Sequence, residues 1–133
     1  MSQPDSLRQV MRDKQLASLG DAYVNFVYSL ALTHLKGYPQ GTKVSDKILA
    51  QALKLAGLRD HLGTRVVRKD LANASESILA EAYRRTLLTI DESVQVISQH
   101  PEDPTAGLSD LLKMAAERLR ACELAGFLDK ERN

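Results

Sequence analysis

Asp21 follows a glycine inside "LASLGDAYVNF" (residues 16–26), a stretch made mostly of apolar residues. A second carboxylate, Glu76, stands in "LANASESILAEAY" (residues 71–83), among alanine, leucine and isoleucine. An ionised carboxylate withdrawn from water is costly unless it is paired, hydrogen-bonded or bound to a metal. Asp70, Asn73 and Glu76 follow one another at a spacing of three, which sets them along one ridge of a helix. Two such helices packed side by side would bring Asp21 and Glu76 to a shared divalent ion, and oxygen ligands of this kind suit Mg²⁺ or Mn²⁺. The same residues are also consistent with two carboxylates at helix edges, each satisfied by a lysine or arginine.

The elements that must position these groups read as helices. The chain has 133 residues, 44% hydrophobic and 26% charged, enough for one domain over residues 1–133 with a core that needs no disulfide or structural metal. Four prolines, no tryptophan and runs rich in Ala, Leu, Lys and Glu favour an all-α protein. Asp5 or Ser6 can cap a first helix through Arg12. From residue 16 to about 36, Leu16, Leu19, Tyr23, Phe26, Val27, Leu30 and Ala31 recur at spacings of three and four. Ala22, Val24 and Leu32 widen that stripe, so this helix is expected at the centre of the domain. "KGYPQGT" ends it.

Ser45 or Asp46 can cap the next helix, whose face is Ile48, Leu49, Ala52, Leu55 and Ala56 and which Gly57 terminates. "LRDHLGTRVVRK" is a connector with a helical turn. A long helix from about 70 to 88 is expected to bury Leu71, Ala74, Ile78, Leu79, Ala82, Tyr83 and Leu87. "TIDESVQVISQH" gives a short helix, "PEDPTAG" a loop, and residues 108–128 a final amphipathic helix with Leu111, Leu112, Ala115, Leu119 and Cys122 inward.

A single cysteine cannot form an internal disulfide and points to a reducing compartment. "MSQPDSLRQVMRDKQ" lacks the apolar core of a signal peptide, and no run reaches the ~20 apolar residues of a membrane span. A cytoplasmic protein is therefore expected. The net charge of +1 is unevenly spread: residues 36–69 hold eight basic residues against two acidic ones, and the remainder is acidic. That asymmetry suits a segment facing a polyanion, or equally lysines solvated on helix faces. "GYPQGTK" lacks the spacing and order of a phosphate loop and reads as a turn. His34, His61 and His100 have no partner at ligand spacing. Cys122 reads as a small core residue, and Tyr23, Phe26, Tyr28 and Tyr83, at helical spacing, read as core.

At its carboxylates the sequence resembles the ribonuclease III nuclease domain. "LGDAYVNFVYSLA" matches that family's Leu-Gly-Asp core and its apolar continuation, and "LANASESILAEAY" resembles its second acidic signature. Between them, "VSDKILAQALKLAGLRDHLG" is similar to the stretch that links the two, and the likeness runs over roughly residues 14–90. It departs from the family at Lys14 and Ala17, where glutamates are usual, and at Asn73, where aspartate is usual. The resemblance is to the short form, in which no double-stranded-RNA-binding domain follows.

The resemblance implies an all-α helical bundle of the ribonuclease III endonuclease type. Asp21 and Glu76 would be the catalytic carboxylates, and Asp21, Glu76 and Asn73 would hold Mg²⁺ or Mn²⁺. The substrate would be double-stranded or structured RNA, cut by phosphodiester hydrolysis in a homodimer. Lys43, Lys47, Arg65, Arg68 and Lys69 are the candidate phosphate contacts, and the apolar excess of the helix bearing Asp21 is available to a dimer. Two alternatives remain at this point: a family member that binds RNA, for instance at the ribosome, without cutting it, and a helical scaffold with no RNA role.

Overall fold

The chain is described by a computed structural model that covers the backbone of residues 6–132 and the side chains of residues 6–126. Six helices follow one another: α1 (Ser6–Met11), α2 (Lys14–Lys36), α3 (Asp46–Leu55), α4 (Arg68–Arg84), α5 (Ile90–Ser98) and α6 (Pro104–Arg132). A short 3₁₀ turn, Arg59–Leu62, lies between α3 and α4, and no strand occurs among the described residues. The fold is all-α, as the composition and periodicity predict.

Local signals set the ends of most helices. The Asp13 carboxylate accepts from the backbone N–H of Gln15 at 2.9 Å and of Leu16 at 3.1 Å, so it caps α2. Gly37, at φ 81°, closes the same helix by donating to the Thr33 carbonyl at 2.9 Å. Ser45 caps α3. Thr89 and Glu92 form a reciprocal capping box at the start of α5. Of the two possible caps for α1, Asp5 lies outside the described residues, and Ser6 is already helical.

Two boundaries differ from the sequence reading. α4 stops at Arg84, and Thr86 takes a left-handed φ of 59°, so Leu87 and Leu88 belong to the link and not to the helix. α6 begins at Pro104, within the expected loop. Proline suits a first helical position, whose N–H has no partner in any case, and Asp103 caps the turn by accepting from Ala106 at 3.1 Å.

The central helix is α4, not α2. α4 packs against α1, α2, α3 and α6, and from Leu71 to Ala82 every residue except Asn73 is buried. Its small residues, Ala72, Ala74, Ser75, Ala80 and Ala82, let neighbours approach on several sides. α2 instead keeps Leu19 and Phe26 about half exposed, at 48% and 54%, and Ala22 is exposed as well. The broad apolar girth of α2 therefore signals an outer face as well as a core face. Tyr83, expected in the core, is also exposed; its ring packs at 5.0 Å on that of Tyr23, which is buried and hydrogen-bonded to Ser93 at 2.7 Å. Cys122 is half-buried.

The closest approach of α2 to α4 falls at Gly20. A Cβ placed there would overlap the backbone carbonyl of Glu76, so the two helices meet main chain to main chain. Backbone cannot swing aside as a side chain can, and any substituent must push the helices apart. Gly20→Ala should therefore destabilise the protein by about 3 kcal/mol or more, whereas Gly41→Ala, where a Cβ meets nothing within 4 Å, should stay within about 0.5 kcal/mol of wild type. Urea denaturation midpoints check both.

Candidate functional site

The Gly20 contact decides where the carboxylates go. Asp21 is the next residue on α2 and Glu76 is the α4 residue that Gly20 touches, so both line one cleft of about 560 Å³. Asn73 lines it too, one turn before Glu76 on α4. Lys14, Ala17 and Ser18 come from α2, and Lys43, Val44, Ser45 and Asp46 from the entry to α3.

Asn25 ties these walls together. Its amide nitrogen donates to the Asp21 carboxylate at 3.3 Å, and its amide oxygen accepts from the Val44 N–H at 2.7 Å. One side chain on α2 thus orients Asp21 and docks the α3 entry beside it. Sequence reasoning missed Asn25 in this role, because its partner Val44 is a backbone group 19 residues away. It also missed Asp46 as a lining residue: the chain signal there is that of a helix start, which Asp46 satisfies as well.

The expected ridge of Asp70, Asn73 and Glu76 divides. Asp70 turns back to accept from the Val67 N–H at 3.0 Å, which closes the N-terminus of α4 where Val67 offers no capping oxygen. Asp70 lines a neighbouring cavity of about 260 Å³ with Arg12 and Leu62, and only Asn73 and Lys14 border both spaces. Of the candidate phosphate contacts, Lys43 and Lys69 line this cleft. Lys47, Arg65 and Arg68 are exposed outside it.

Glu76 is 3% exposed, and its carboxyl is pushed up to about 8 from an ordinary 4.5. Burial contributes most; a hydrogen bond with the Asp21 side chain and the Asp21 charge come next, and the ammonium of Lys69 opposes them. At neutral pH Glu76 therefore retains its proton. A divalent cation bound between Asp21 and Glu76 would displace the Glu76 proton, and the hard carboxylate oxygens match Mg²⁺ or Mn²⁺. Among the described residues no three His, Cys, Asp or Glu side chains are grouped to hold a metal. Asp21 and Glu76 thus fit one ion whose remaining positions fall to the Asn73 amide, water or a ligand.

The raised Glu76 value has a consequence for stability. The folded state holds its proton more tightly than the unfolded chain, so the stabilising contribution is complete below about pH 4.5 and is lost as pH rises through about 8. In metal-free buffer the urea midpoint should fall across that window and level off above it. Glu76→Gln should flatten the fall and leave the variant the more stable protein above about pH 8.

No curated protein matches the chain. The family model described as Ribonuclease III matches residues 14–121, a span that runs from the first residue of α2 into α6 and contains Asp21, Asn73 and Glu76. With the greater part of its length matched and its helices arranged as an all-α domain, the chain belongs to the ribonuclease III family.

Proposed function

We propose that the protein is a divalent-metal-dependent endoribonuclease that hydrolyses phosphodiester bonds in double-stranded or structured RNA. The observation that carries this reading is the convergence of Asp21 and Glu76, from two helices, on one cleft that also presents lysines. Acidic groups alone would repel a phosphate, and lysines alone would only bind it. The combination suits a cation and an RNA backbone together.

A divalent ion in the cleft supplies positive charge to the scissile phosphate and acidity to water. Asp21 and Glu76 would hold it through their carboxylate oxygens, Glu76 after losing its proton, and Asn73 would add a neutral amide oxygen or a hydrogen bond to water. Asn25 orients the Asp21 carboxylate by donating to it. Lys43 stands at the cleft wall to meet a phosphate of the bound strand. Lys47, Arg65 and Arg68, exposed on α3 and around the start of α4, extend the positive surface beyond the cleft. Such contacts read the shape of an A-form helix and not its bases. The outward Leu19 and Phe26 of α2 offer an apolar face to a second copy of the chain, which would set two clefts against the two strands.

Purified protein should cut a long double-stranded RNA with Mg²⁺ or Mn²⁺ and not with a chelator. Asp21→Ala and Glu76→Ala should each lower the rate by about 100-fold or more while RNA binding survives in a mobility-shift assay. Cleavage unaffected by both substitutions contradicts the assignment. RNA binding without cleavage under either metal favours a non-cleaving RNA-binding member of the family instead.

The exposed basic residues are tested separately. Substituting Arg65 and Arg68 together with alanine should weaken RNA binding similarly across sequences and flatten the dependence of log K on log salt by about two. Binding titrations over a range of KCl check it.

A further inference from the structure

Lys69 adds a positive charge to the cleft that holds Asp21 and Glu76. Lys69, Asn73 and Glu76 lie on α4 at i, i+4 and i+7, which is one face of the helix, and all three line the cleft. The ammonium of Lys69 pairs with Asp46 of α3, with Nζ 3.4 Å from Oδ2. Its charge reaches Glu76 as well.

We propose that Lys69 takes the place of a second metal ion: the cleft binds one divalent cation, at Asp21 and Glu76, and the Lys69 ammonium supplies the other positive charge that the phosphate meets. This rests on the nuclease function proposed above. The charge inventory favours it. Three carboxylates, Asp21, Asp46 and Glu76, face three ammonium groups, Lys14, Lys43 and Lys69, so the lining is neutral when all are ionised. One divalent ion together with a phosphodiester leaves a small positive excess; a second divalent ion would meet three ammonium groups with no carboxylate left to offset it. Asp46 is already engaged by Lys69, and it does not join Asp21 and Glu76 in a metal-sized group. The Lys69 side chain is 64% exposed, so its tip can move from Asp46 to an arriving phosphate without leaving a buried charge unpaired.

The test counts ions and rates on the same proteins. Mn²⁺ bound per chain is measured by electron paramagnetic resonance for wild type, Asp21→Ala and Lys69→Ala, and single-turnover cleavage of double-stranded RNA is measured for wild type, Lys69→Ala and Lys69→Arg. The expected result is one ion in wild type and in Lys69→Ala, none in Asp21→Ala, a cleavage rate about 100-fold lower in Lys69→Ala, and substantial recovery in Lys69→Arg. Two ions per chain in wild type, both lost in Asp21→Ala, overturn the role of Lys69 and leave the nuclease reading standing. A wild-type cleavage rate in Lys69→Ala overturns it equally. Mn²⁺ binding that is absent, or indifferent to Asp21→Ala, overturns both.

Discussion

The contact between the Gly20 backbone and the Glu76 carbonyl is the constraint from which the rest of this structure follows. Two helices can approach to main-chain distance only where one of them has no side chain, and here the approach falls one residue before Asp21 and at Glu76 itself. The packing of the core and the placing of the carboxylates are therefore the same event. α4 gains burial on nearly every side, and the one carboxylate it presents toward α2 arrives next to the one carboxylate that α2 presents toward it.

That arrangement has a cost. Glu76 is almost fully buried beside a second acid, and it retains its proton far above the ordinary range. A core built for stability alone would replace one of the pair with an apolar residue. The surrounding cleft shows how the charge is contained: Asn25 donates to Asp21, the Lys69 charge opposes that of Glu76, and Asp46 pairs with Lys69. The polar lining thus forms one connected arrangement spanning α2, α3 and α4, and the binding of a cation would replace the retained proton with a charge the two acids can both use.

Much of this was legible in the residues. Ser45, the glycines of "KGYPQGT" and the apolar positions recurring every three or four residues mark helices because capping and periodicity are local, and the structure places those helices as expected. The pairing of Asp21 with Glu76 was legible through the Leu-Gly-Asp signature, whose glycine is now explained by the helix contact it permits. Other features were hidden for physical reasons. The centrality of α4 depends on small residues, which carry little hydrophobic signal but allow close packing; the wide apolar stripe of α2 pointed elsewhere. Asp70 has the spacing of a site residue, yet a helix start that lacks a capping oxygen draws it away. Asn25 and Asp46 act through partners 19 and 23 residues distant in the chain, a relation that no periodicity encodes.

The central claim is that Asp21 and Glu76, brought together by the α2–α4 contact, form the seat of a divalent cation. Crystals of the protein soaked in Mn²⁺ test it most directly, through the anomalous difference density at the metal's absorption edge. The account predicts a peak at coordinating distance, about 2.0–2.2 Å, from carboxylate oxygens of both residues. A cleft without a peak at saturating Mn²⁺, or a peak held by other side chains and away from this pair, would contradict it.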